Sequence, residues 1–326
     1  MKVLFIGGTG IISSACSALV VECGFDLYLL NRGQTARPLP AGAHILQGDI
    51  RDQASASRAL GKLEFDVVVN WIAFAPEHIE TDLALFQGRT QQYIFISSAS
   101  AYQTPPASLP VTESTPLDNP YWHYSQAKIA CETRLMRAYQ EARFPVTIVR
   151  PSHTYDRTMI PLEGRYTAIN RMRQGKPVIV HGDGTSLWVL THHRDFAKGF
   201  VGLLGNSHAI GQAFHITLDE WLTWNQIFEI MAQAAGATAR MVHISSDIIA
   251  KANPDWGAGL LGDKAHSMIF DNSKIKRLVP DFAATIPFSH GAREIMAWYD
   301  ADPARQVVND ALDRQMDELI AAYGAA

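Results

Sequence analysis

Short apolar runs recur through the first half of the chain and alternate with longer segments whose apolar positions have helical spacing. A strand of a parallel sheet is buried on both faces, so it reads as a continuous apolar run rather than as an alternation. The runs therefore predict parallel strands joined by helices, the pattern of a doubly wound α/β sheet. The predicted strands cover residues 3–6, 26–30, 43–46, 65–70, 92–98 and 146–150.

Segments with helical periodicity lie between these strands, and the second half of the chain is less regular. The first-half helices are predicted at residues 14–23, 55–60, 77–86 and 121–143. In the second half we predict helices at 164–174, 193–204, 224–235, 293–299 and 305–323, and strands at 178–181, 214–216 and 241–244. We expect a sheet domain over residues 1–154, to which residues 178–215 partly return, and a smaller mixed α/β domain formed mainly by residues 155–326.

The first predicted strand ends in Gly7-Gly-Thr-Gly10 and passes directly into a predicted helix. Glycines let the backbone approach a ligand closely, and the free N–H groups at a helix start favour an anion such as a pyrophosphate. The segment Gly8-x-Gly10-x-x-Ser13 is one residue short of the dinucleotide fingerprint, because Ser13 stands at the third glycine position. Residues 1–154 are therefore predicted to bind a dinucleotide.

A second motif places chemistry on the helix predicted at 121–143. Tyr124 and Lys128 are four residues apart, so they lie one above the other on one helix face. A nearby ammonium favours the phenolate, and such a pair can act as a general acid and base on a hydroxyl or carbonyl group. The strand before this helix ends in Ser97-Ser98-Ala-Ser100, which brings hydroxyl groups to the same edge of the sheet.

Bulk composition excludes several classes of protein. The chain has 326 residues, a net charge of −4 and 47% hydrophobic residues, so it lacks the basic balance that general polyanion binding requires. No apolar run is long enough to cross a membrane, and glycines interrupt the apolar N-terminus where a signal peptide would be continuous. The 3 cysteines and 12 histidines lack metal-ligand spacing. We expect a cytoplasmic protein with no membrane segment and no bound metal.

In their order along the chain these motifs resemble the extended short-chain dehydrogenase/reductase superfamily, in its NAD-dependent epimerase/dehydratase branch. The resemblance is clear to about residue 205, and some detail is also similar to an atypical subgroup that includes chloroplast stem-loop-binding proteins. The segments that carry the family resemblance are Gly7-Gly-Thr-Gly10, Gly48-Asp49-Ile50, Ser97-Ser98-Ala99-Ser100-Ala101-Tyr102, Tyr124-x-x-x-Lys128, Arg150-Pro151-Ser152 and Gly182-Asp-Gly184. Those similar to the subgroup are Asn31-Arg-Gly33 and residues 66–73.

The resemblance implies a Rossmann sheet, a bound NAD(P)(H) cofactor and roles for individual residues. Ser98 would hydrogen-bond the reacting oxygen and Tyr124 would act as acid and base. Lys128 would hold the nicotinamide ribose and lower the pKa of Tyr124. The residues that would line the cofactor are Gly7, Gly10, Ile11, Ile12, Asn31, Arg32, Asp49, Ile50, Ala73, Lys128, Pro151 and Ser152. Candidates for substrate contact from the sequence are Ser100, His123, His153 and Trp188, although the two histidines could instead be packed or solvated and Trp188 could equally belong to the core.

Two departures from the family's pattern bear on the ligands. Asn31 stands where NAD-preferring members have an acidic residue, and Arg32 either pairs with a 2′-phosphate or is a surface arginine at a turn. We therefore expect NADP to be slightly favoured over NAD. Trp188 falls where nucleotide-sugar members typically have an arginine that grips the diphosphate, which argues against a nucleotide sugar unless Arg194 or Arg165 substitutes.

The resemblance implies hydride exchange with a hydroxyl or keto group of a sugar-like small molecule, and an epimerase and a plain oxidoreductase fit equally well. A dehydratase ranks last, because the Asp-Glu pair that dehydratases use would fall at Ala99 and Ser100, neither of which has a carboxyl group. The alternative is a nucleotide-sensing or RNA-binding protein without redox chemistry on the same fold. The intact Ser98, Tyr124 and Lys128 and the acidic charge argue against it, so nucleic acid is an unexpected partner.

Extended members commonly form dimers through the helix that bears the Tyr-Lys pair and the helix before strand five. Apolar residues on these helices allow a homodimer, although the same residues could simply pack on the sheet. They are Ile129, Leu135 and Met136 on the first helix, with Leu83 and Phe86 on the second.

Overall fold

The structure of the protein is a computed structural model that describes residues 1–34 and 37–324. The final two residues of the predicted second domain, 325 and 326, lie outside the described part. The strands are β1 (Lys2–Ile6), β2 (Asp26–Asn31), β3 (His44–Gln47), β4 (Phe65–Asn70), β5 (Thr90–Ile96), β6 (Val146–Pro151), β7 (His153–Tyr155), β8 (Pro177–His181), β9 (Leu187–Trp188), β10 (Leu190–His192), β11 (Ala213–Ile216), β12 (Leu222–Thr223) and β13 (Arg240–Ile244).

The α-helices between the strands cover the sheet and build the second half. They are α1 (Ile11–Glu22), α2 (Gln53–Leu60), α3 (Pro76–Phe86), α4 (His123–Ala142), α5 (Tyr166–Arg173), α6 (His193–Val201), α7 (Trp224–Ala234), α8 (Ser246–Ala252), α9 (Pro254–Gly259), α10 (Ser273–Leu278), α11 (Phe288–Asp300) and α12 (Asp310–Tyr323). A five-residue π-helical turn, Leu260–Lys264, follows α9 directly.

The main sheet has seven parallel strands in the order β11-β6-β5-β4-β1-β2-β3. Helices pack on both of its faces, and β1 shows why the sequence reads as an apolar run. Val3 and Phe5 belong to one hydrophobic cluster, together with Phe200 of α6. Leu4 and Ile6 point to the other face, where they join a cluster built largely on α3 and α4. The expected doubly wound α/β fold is therefore confirmed.

The second half has its own core and also returns to the sheet. β11 forms one edge of the main sheet by pairing in parallel with β6. β8 pairs instead with β13, and both lie beside a third hydrophobic cluster that contains Trp188, Trp224 and Tyr299. The domain boundary near residue 154 stays a prediction.

Two differences from the predicted elements have clear physical reasons. The last helix begins at Asp310 rather than at residue 305, because the Asn309 side chain accepts a hydrogen bond from the Leu312 N–H and caps the helix there. Residues 246–278, to which we assigned no helix, contain α8, α9, the π-helical turn and α10. Helices of six or seven residues are too short to show a clear period in the sequence.

Candidate functional site

The glycine turn between β1 and α1 lies at the carboxyl edge of the main sheet. Gly7 and Gly8 have φ angles of 97° and 98°, a conformation that side chains with a Cβ atom rarely adopt. A Cβ atom on Gly8 would lie 2.6 Å from Leu29 Cδ2. The turn therefore exposes backbone at the start of α1, where an anionic group is favoured.

Ser13, which replaces the last glycine of the fingerprint, is part of the turn itself. Its hydroxyl oxygen accepts a hydrogen bond of 2.8 Å from the Gly10 N–H. The neighbouring Ser17 hydroxyl donates to the Gly8 carbonyl oxygen, also at 2.8 Å. Two buried serines thus hold the turn against α1. Gly10 ends the turn, and Ile11 and Ile12 open the helix.

A cavity of about 520 Å³ opens beside this turn. Five of the predicted cofactor residues line it: Gly7, Asn31, Arg32, Asp49 and Ile50. The Asn31 Nδ2 atom is buried and has no hydrogen-bond partner within the described residues, while Oδ1 of the same side chain accepts from the Gly33 N–H at 2.9 Å. An unpaired amide donor at the end of β2 fits a ligand that carries hydroxyl oxygens, as a ribose does.

Arg51 also lines this cavity, and the sequence analysis did not single it out. Its guanidinium donates a hydrogen bond to the Ile72 carbonyl oxygen, which bridges the ends of β3 and β4. The sequence feature that could have indicated Arg51 is its position directly after Asp49 and Ile50, two of the predicted cofactor residues. The cavity wall therefore carries two cations, Arg32 and Arg51, beside one carboxylate, that of Asp49.

Helix α4 places Tyr124 and Lys128 one turn apart, and both face the carboxyl end of β5. Lys128 is 1% exposed, and its Nζ atom donates to the carbonyl oxygens of Ala73 at 2.7 Å and Ile96 at 2.8 Å. The same atom lies 5.7 Å from the centre of the Tyr124 ring. Ser98 is close enough to Tyr124 to interact with its hydroxyl. The structure thus brings Ser98, Tyr124 and Lys128 together.

The electrostatics of this group differ from what the resemblance implied. Burial lowers the pKa of Lys128 to about 8. The pKa of Tyr124 lies above its ordinary value: burial raises it, the interaction with Ser98 lowers it, and the Asp263 carboxylate raises it further. The expected lowering by Lys128 is not seen, because the desolvation of the phenol prevails.

A short chain of hydroxyl groups stands behind Ser98. The Ser98 and Ser100 hydroxyl oxygens are 2.8 Å apart, and the Ser125 hydroxyl donates to Ser100 at 2.7 Å. Ser100 is 4% exposed. Ser100 therefore orients the Ser98 hydroxyl by a hydrogen bond. The sequence had suggested instead that Ser100 itself contacts the substrate.

The other predicted substrate residues lie in three different surroundings. His123 is exposed at the first residue of α4. His153 lines a cavity of about 590 Å³ in the second half, and its Nε2 atom is buried with no partner in the described chain. Trp188 needs a correction: it is 2% exposed and its ring packs on Trp224, at 5.8 Å between centroids, so it belongs to the core and not to the cleft surface.

The 590 Å³ cavity lies in the second half, and His153 of β7 is the lining residue nearest in sequence to the end of β6. Pro151 is the last residue of β6 and Ser152 follows it, directly before His153. Charged and aromatic side chains share the cavity wall, among them Glu163, Arg165, Tyr166, Trp256, Lys264 and Arg305. The molecule therefore has one cavity beside the glycine turn and a second, polar and aromatic cavity in its second half.

Two kinds of feature, a membrane-spanning helix and a cluster of metal ligands, are absent from the part of the chain that the structure describes. No helix there is long and apolar enough to cross a membrane. No group of three or more His, Cys, Asp or Glu side chains is placed to hold a metal ion in that part of the chain.

Comparison with known proteins agrees with this geometry. Residues 3–217 match the NAD dependent epimerase/dehydratase family. The chain is 28% identical to the chloroplast stem-loop binding protein of 41 kDa b of Arabidopsis thaliana, over 72% of this chain and 63% of that protein. It is 23% identical to 2′-dehydrokanamycin reductase of Streptomyces kanamyceticus, over 86% of this chain and 80% of that protein.

A solved structure has the same fold. It is the UDP-glucose 4-epimerase of Bifidobacterium longum in complex with NAD⁺ and UDP, with a TM-score of 0.73 and 20% identity over 93% of this chain and 99% of that chain. The predicted family and the nicotinamide cofactor are both confirmed. The family match covers the glycine turn, the Tyr-Lys helix and the strand that returns to the sheet, and the chain belongs to the NAD dependent epimerase/dehydratase family.

Proposed function

We propose that the protein is an NAD(P)-dependent oxidoreductase or epimerase that acts on a hydroxyl or keto group of a sugar-like small molecule. The observation that carries this proposal is the meeting of Ser98, Tyr124 and Lys128 at the carboxyl edge of the sheet. Each residue type suits its position, since a hydroxyl, a phenol and an ammonium can together bind and protonate one substrate oxygen.

The residues present divide the work as follows. A bound nicotinamide cofactor would supply or take up the hydride. Tyr124 gives a proton to the substrate oxygen or removes one from it, and Ser98 holds that oxygen by a hydrogen bond. Lys128 uses two of its three donors on Ala73 and Ile96, so one donor is left for a ligand hydroxyl. The glycine turn and Asn31 hold the pyrophosphate and the ribose.

One observation favours reduction of a keto group over the epimerase alternative. The reductase of Streptomyces kanamyceticus resembles this chain over most of both proteins.

The place of Trp188 in the core bears on the substrate. A buried tryptophan cannot form the charge-assisted fork that an arginine makes with a diphosphate. Of the two arginines that could substitute, Arg194 is bound to Glu294 while Arg165 lines the cavity. We infer a sugar-like substrate whose binding does not depend on a diphosphate grip at residue 188.

The test compares Tyr124→Phe with Tyr121→Phe. Tyr121 is 46% exposed and lies three residues earlier, so it is a matched control for the loss of a phenol. Purified protein is given reduced nicotinamide dinucleotide and a panel of keto sugars, and consumption of the reduced cofactor is followed by absorbance. We expect turnover in the wild type and in Tyr121→Phe, and a loss of about 100-fold or more in Tyr124→Phe. Equal rates in the two variants would refute the role of Tyr124.

The likeness to a chloroplast stem-loop binding protein keeps the RNA-binding alternative open to a direct test. An electrophoretic shift with a stem-loop RNA, repeated at increasing salt, measures it. Tight, salt-sensitive binding without any turnover would favour that alternative. The homodimer and the cytoplasmic location stay predictions, and sedimentation at micromolar concentration tests the first.

A further inference from the structure

Trp122 belongs both to the surroundings of Tyr124 and to the wall of a further cavity. It stands directly before α4, and its ring centre lies 5.0 Å from that of Tyr124, with 44° between the ring planes. The same half-buried residue lines a cavity of about 700 Å³, whose remaining lining residues lie between 163 and 318. A ligand that packs on Trp122 in this cavity therefore lies close to a group that binds at Tyr124.

The position of Trp122 is fixed by its contact with the π-helical turn. A Cβ atom on Gly262 would lie 2.7 Å from Trp122 Cβ, so only a glycine allows this close approach. Asn119 is 1% exposed, and its Nδ2 group donates to the Gly262 carbonyl oxygen at 2.7 Å and to the Ser100 carbonyl oxygen at 2.8 Å. These contacts hold the tryptophan, the turn and the segment that carries Ser98 in one arrangement.

A second tryptophan, Trp256 of α9, lines the same cavity and is 7% exposed. Within residues 1–34 and 37–324 neither the Trp122 nor the Trp256 indole N–H has a hydrogen-bond acceptor. An indole combines a broad apolar face with one polar donor. A sugar ring has the complementary surface, because its C–H groups pack on the aromatic face while its hydroxyl groups both accept and donate hydrogen bonds.

The charges on the cavity wall favour a neutral or cationic ligand over a phosphate. The wall carries three carboxylates against two cations: Glu163, Asp255 and Glu318 against Lys264 and Arg314. In the part of the chain that the structure describes, none of these carboxylates forms an ion pair or a side-chain hydrogen bond. A carboxylate attracts an ammonium group, accepts from a hydroxyl group and repels a phosphate. The cavity therefore suits a sugar ring with hydroxyl or amino substituents.

The size of the cavity indicates room for more than the ring that reacts. Cavities of about 300–1,000 Å³ hold drug-sized ligands, and 700 Å³ lies well inside that range. Trp256 and Lys264 also line the 590 Å³ cavity, so the two cavities adjoin. A substrate that reacts at Tyr124 can therefore extend past Trp122 into the second half.

We propose that the 700 Å³ cavity is a second sugar subsite, in which a neutral or amino-substituted ring packs against Trp122 while the ring joined to it reacts at Tyr124. The substrate is then a glycoside of two or more rings, and not a free monosaccharide. The proposal rests on the proposed function, since it takes Tyr124 to mark the reacting ring. The sequence did not point to Trp122, because its role depends on a cavity that the distant second half completes.

The test compares the binding of glucose, maltose, cellobiose and UDP. Tyr124→Phe serves as the background, so that no turnover alters the probes, and nicotinamide dinucleotide is present throughout. Binding is measured by calorimetry, which does not depend on tryptophan fluorescence. We expect at least one disaccharide to bind about tenfold or more tightly than glucose. Adding Trp122→Leu, which keeps bulk but removes the ring, should weaken that disaccharide about tenfold and change glucose little.

Trp122→Phe keeps an aromatic face and should retain most of the advantage of the disaccharide. Trp221→Leu is the matched control, since Trp221 is 52% exposed, and it should change no affinity. The proposal is overturned if neither disaccharide binds more tightly than glucose, or if Trp122→Leu weakens glucose and the disaccharide equally. It is also overturned if UDP binds more tightly than both disaccharides and loses that affinity in Trp122→Leu.

Failure of the proposed function has a different outcome. The wild type would then show no turnover with keto sugars, while the advantage of the disaccharide and its dependence on Trp122 would persist.

Discussion

Asn31 and Arg32 end β2 at the wall of the 520 Å³ cavity, and they bear on which nicotinamide dinucleotide fits. The Asn31 amide has a buried donor to offer but no negative charge, so it does not repel a 2′-phosphate as an acidic residue would. The Arg32 side chain is exposed and lines the same cavity, so it can turn toward such a phosphate without breaking a buried contact.

Arg32→Ala should therefore weaken NADPH selectively. Loss of one charge-assisted contact corresponds to about a tenfold weaker affinity for NADPH, with NADH affected little because it has no 2′-phosphate. Fluorescence titration of both nucleotides measures the effect. Arg58→Ala on α2, where Arg58 is exposed, controls for the general loss of positive charge. Equal losses for NADH and NADPH would show that Arg32 does not recognise the 2′-phosphate.

At the scale of elements, the backbone of the turn from β1 to α1 has to satisfy two conditions at once. It must adopt positive φ angles and also leave no space for a side chain at Gly8, where a Cβ atom would meet Leu29. Gly24, two residues after the end of α1, has a φ angle of 77°, but among the described residues no neighbouring atom lies within 4 Å of the place where its Cβ atom would stand. Alanine substitutions at Gly24 and at Gly8 therefore separate two free-energy costs: that of a positive φ angle, and that of steric overlap between the new Cβ atom and its neighbours.

Gly24→Ala should lower the free energy of unfolding by about 1–2 kcal/mol, the cost of a left-handed conformation for an L-residue. Gly8→Ala should cost about 1–3 kcal/mol more, because overpacking adds to the same conformational cost. Urea unfolding of the two variants and the wild type measures both values. Equal losses would show that the space around Gly8 relaxes freely and that crowding does not constrain the turn.

Elements with a continuous apolar run or a long period could be predicted from the sequence, and elements defined by distant contacts could not. β4 was predicted with its observed bounds, since Phe65-Asp-Val-Val-Val-Asn70 is apolar enough to be buried on both faces. The π-helical turn was missed, because its position depends on Asn119, more than 140 residues away along the chain. The burial of Trp188 could not be predicted either, because it depends on packing against Trp224.

Across the whole molecule, the cleft is held by a few polar contacts between segments that are far apart in sequence. Arg37, between β2 and β3, forms an ion pair of 2.5 Å with the buried Asp156 and also donates to Thr158. Asn119 joins Ser100 to Gly262 by two hydrogen bonds. The order of Ser98 and Tyr124 in the chain could be predicted, but their enclosure by the second half could not, because it rests on these pairs.

The buried carboxyl of Asp263 gives the stability of the whole molecule a testable dependence on pH. In the folded state its pKa is about 7, against an ordinary value of 3.8, mainly because of burial. The folded protein therefore holds this proton more tightly than the unfolded chain does. The resulting stabilisation is fully present below about pH 4 and is lost as the pH rises through about 7. Other groups titrate in the same range, so only the difference between variants isolates Asp263.

Asp263→Asn should therefore gain stability relative to the wild type as the pH is raised from about 5 to about 8, since the amide has no proton to lose. The gain should level off above about pH 8, where the wild-type carboxyl is fully ionised. Urea unfolding at several pH values measures it, with Asp281→Asn at an exposed aspartate as the matched control. Because no substrate is present, a flat difference between Asp263→Asn and wild type would place the carboxyl in water and show that its burial does not contribute to the pH dependence of stability.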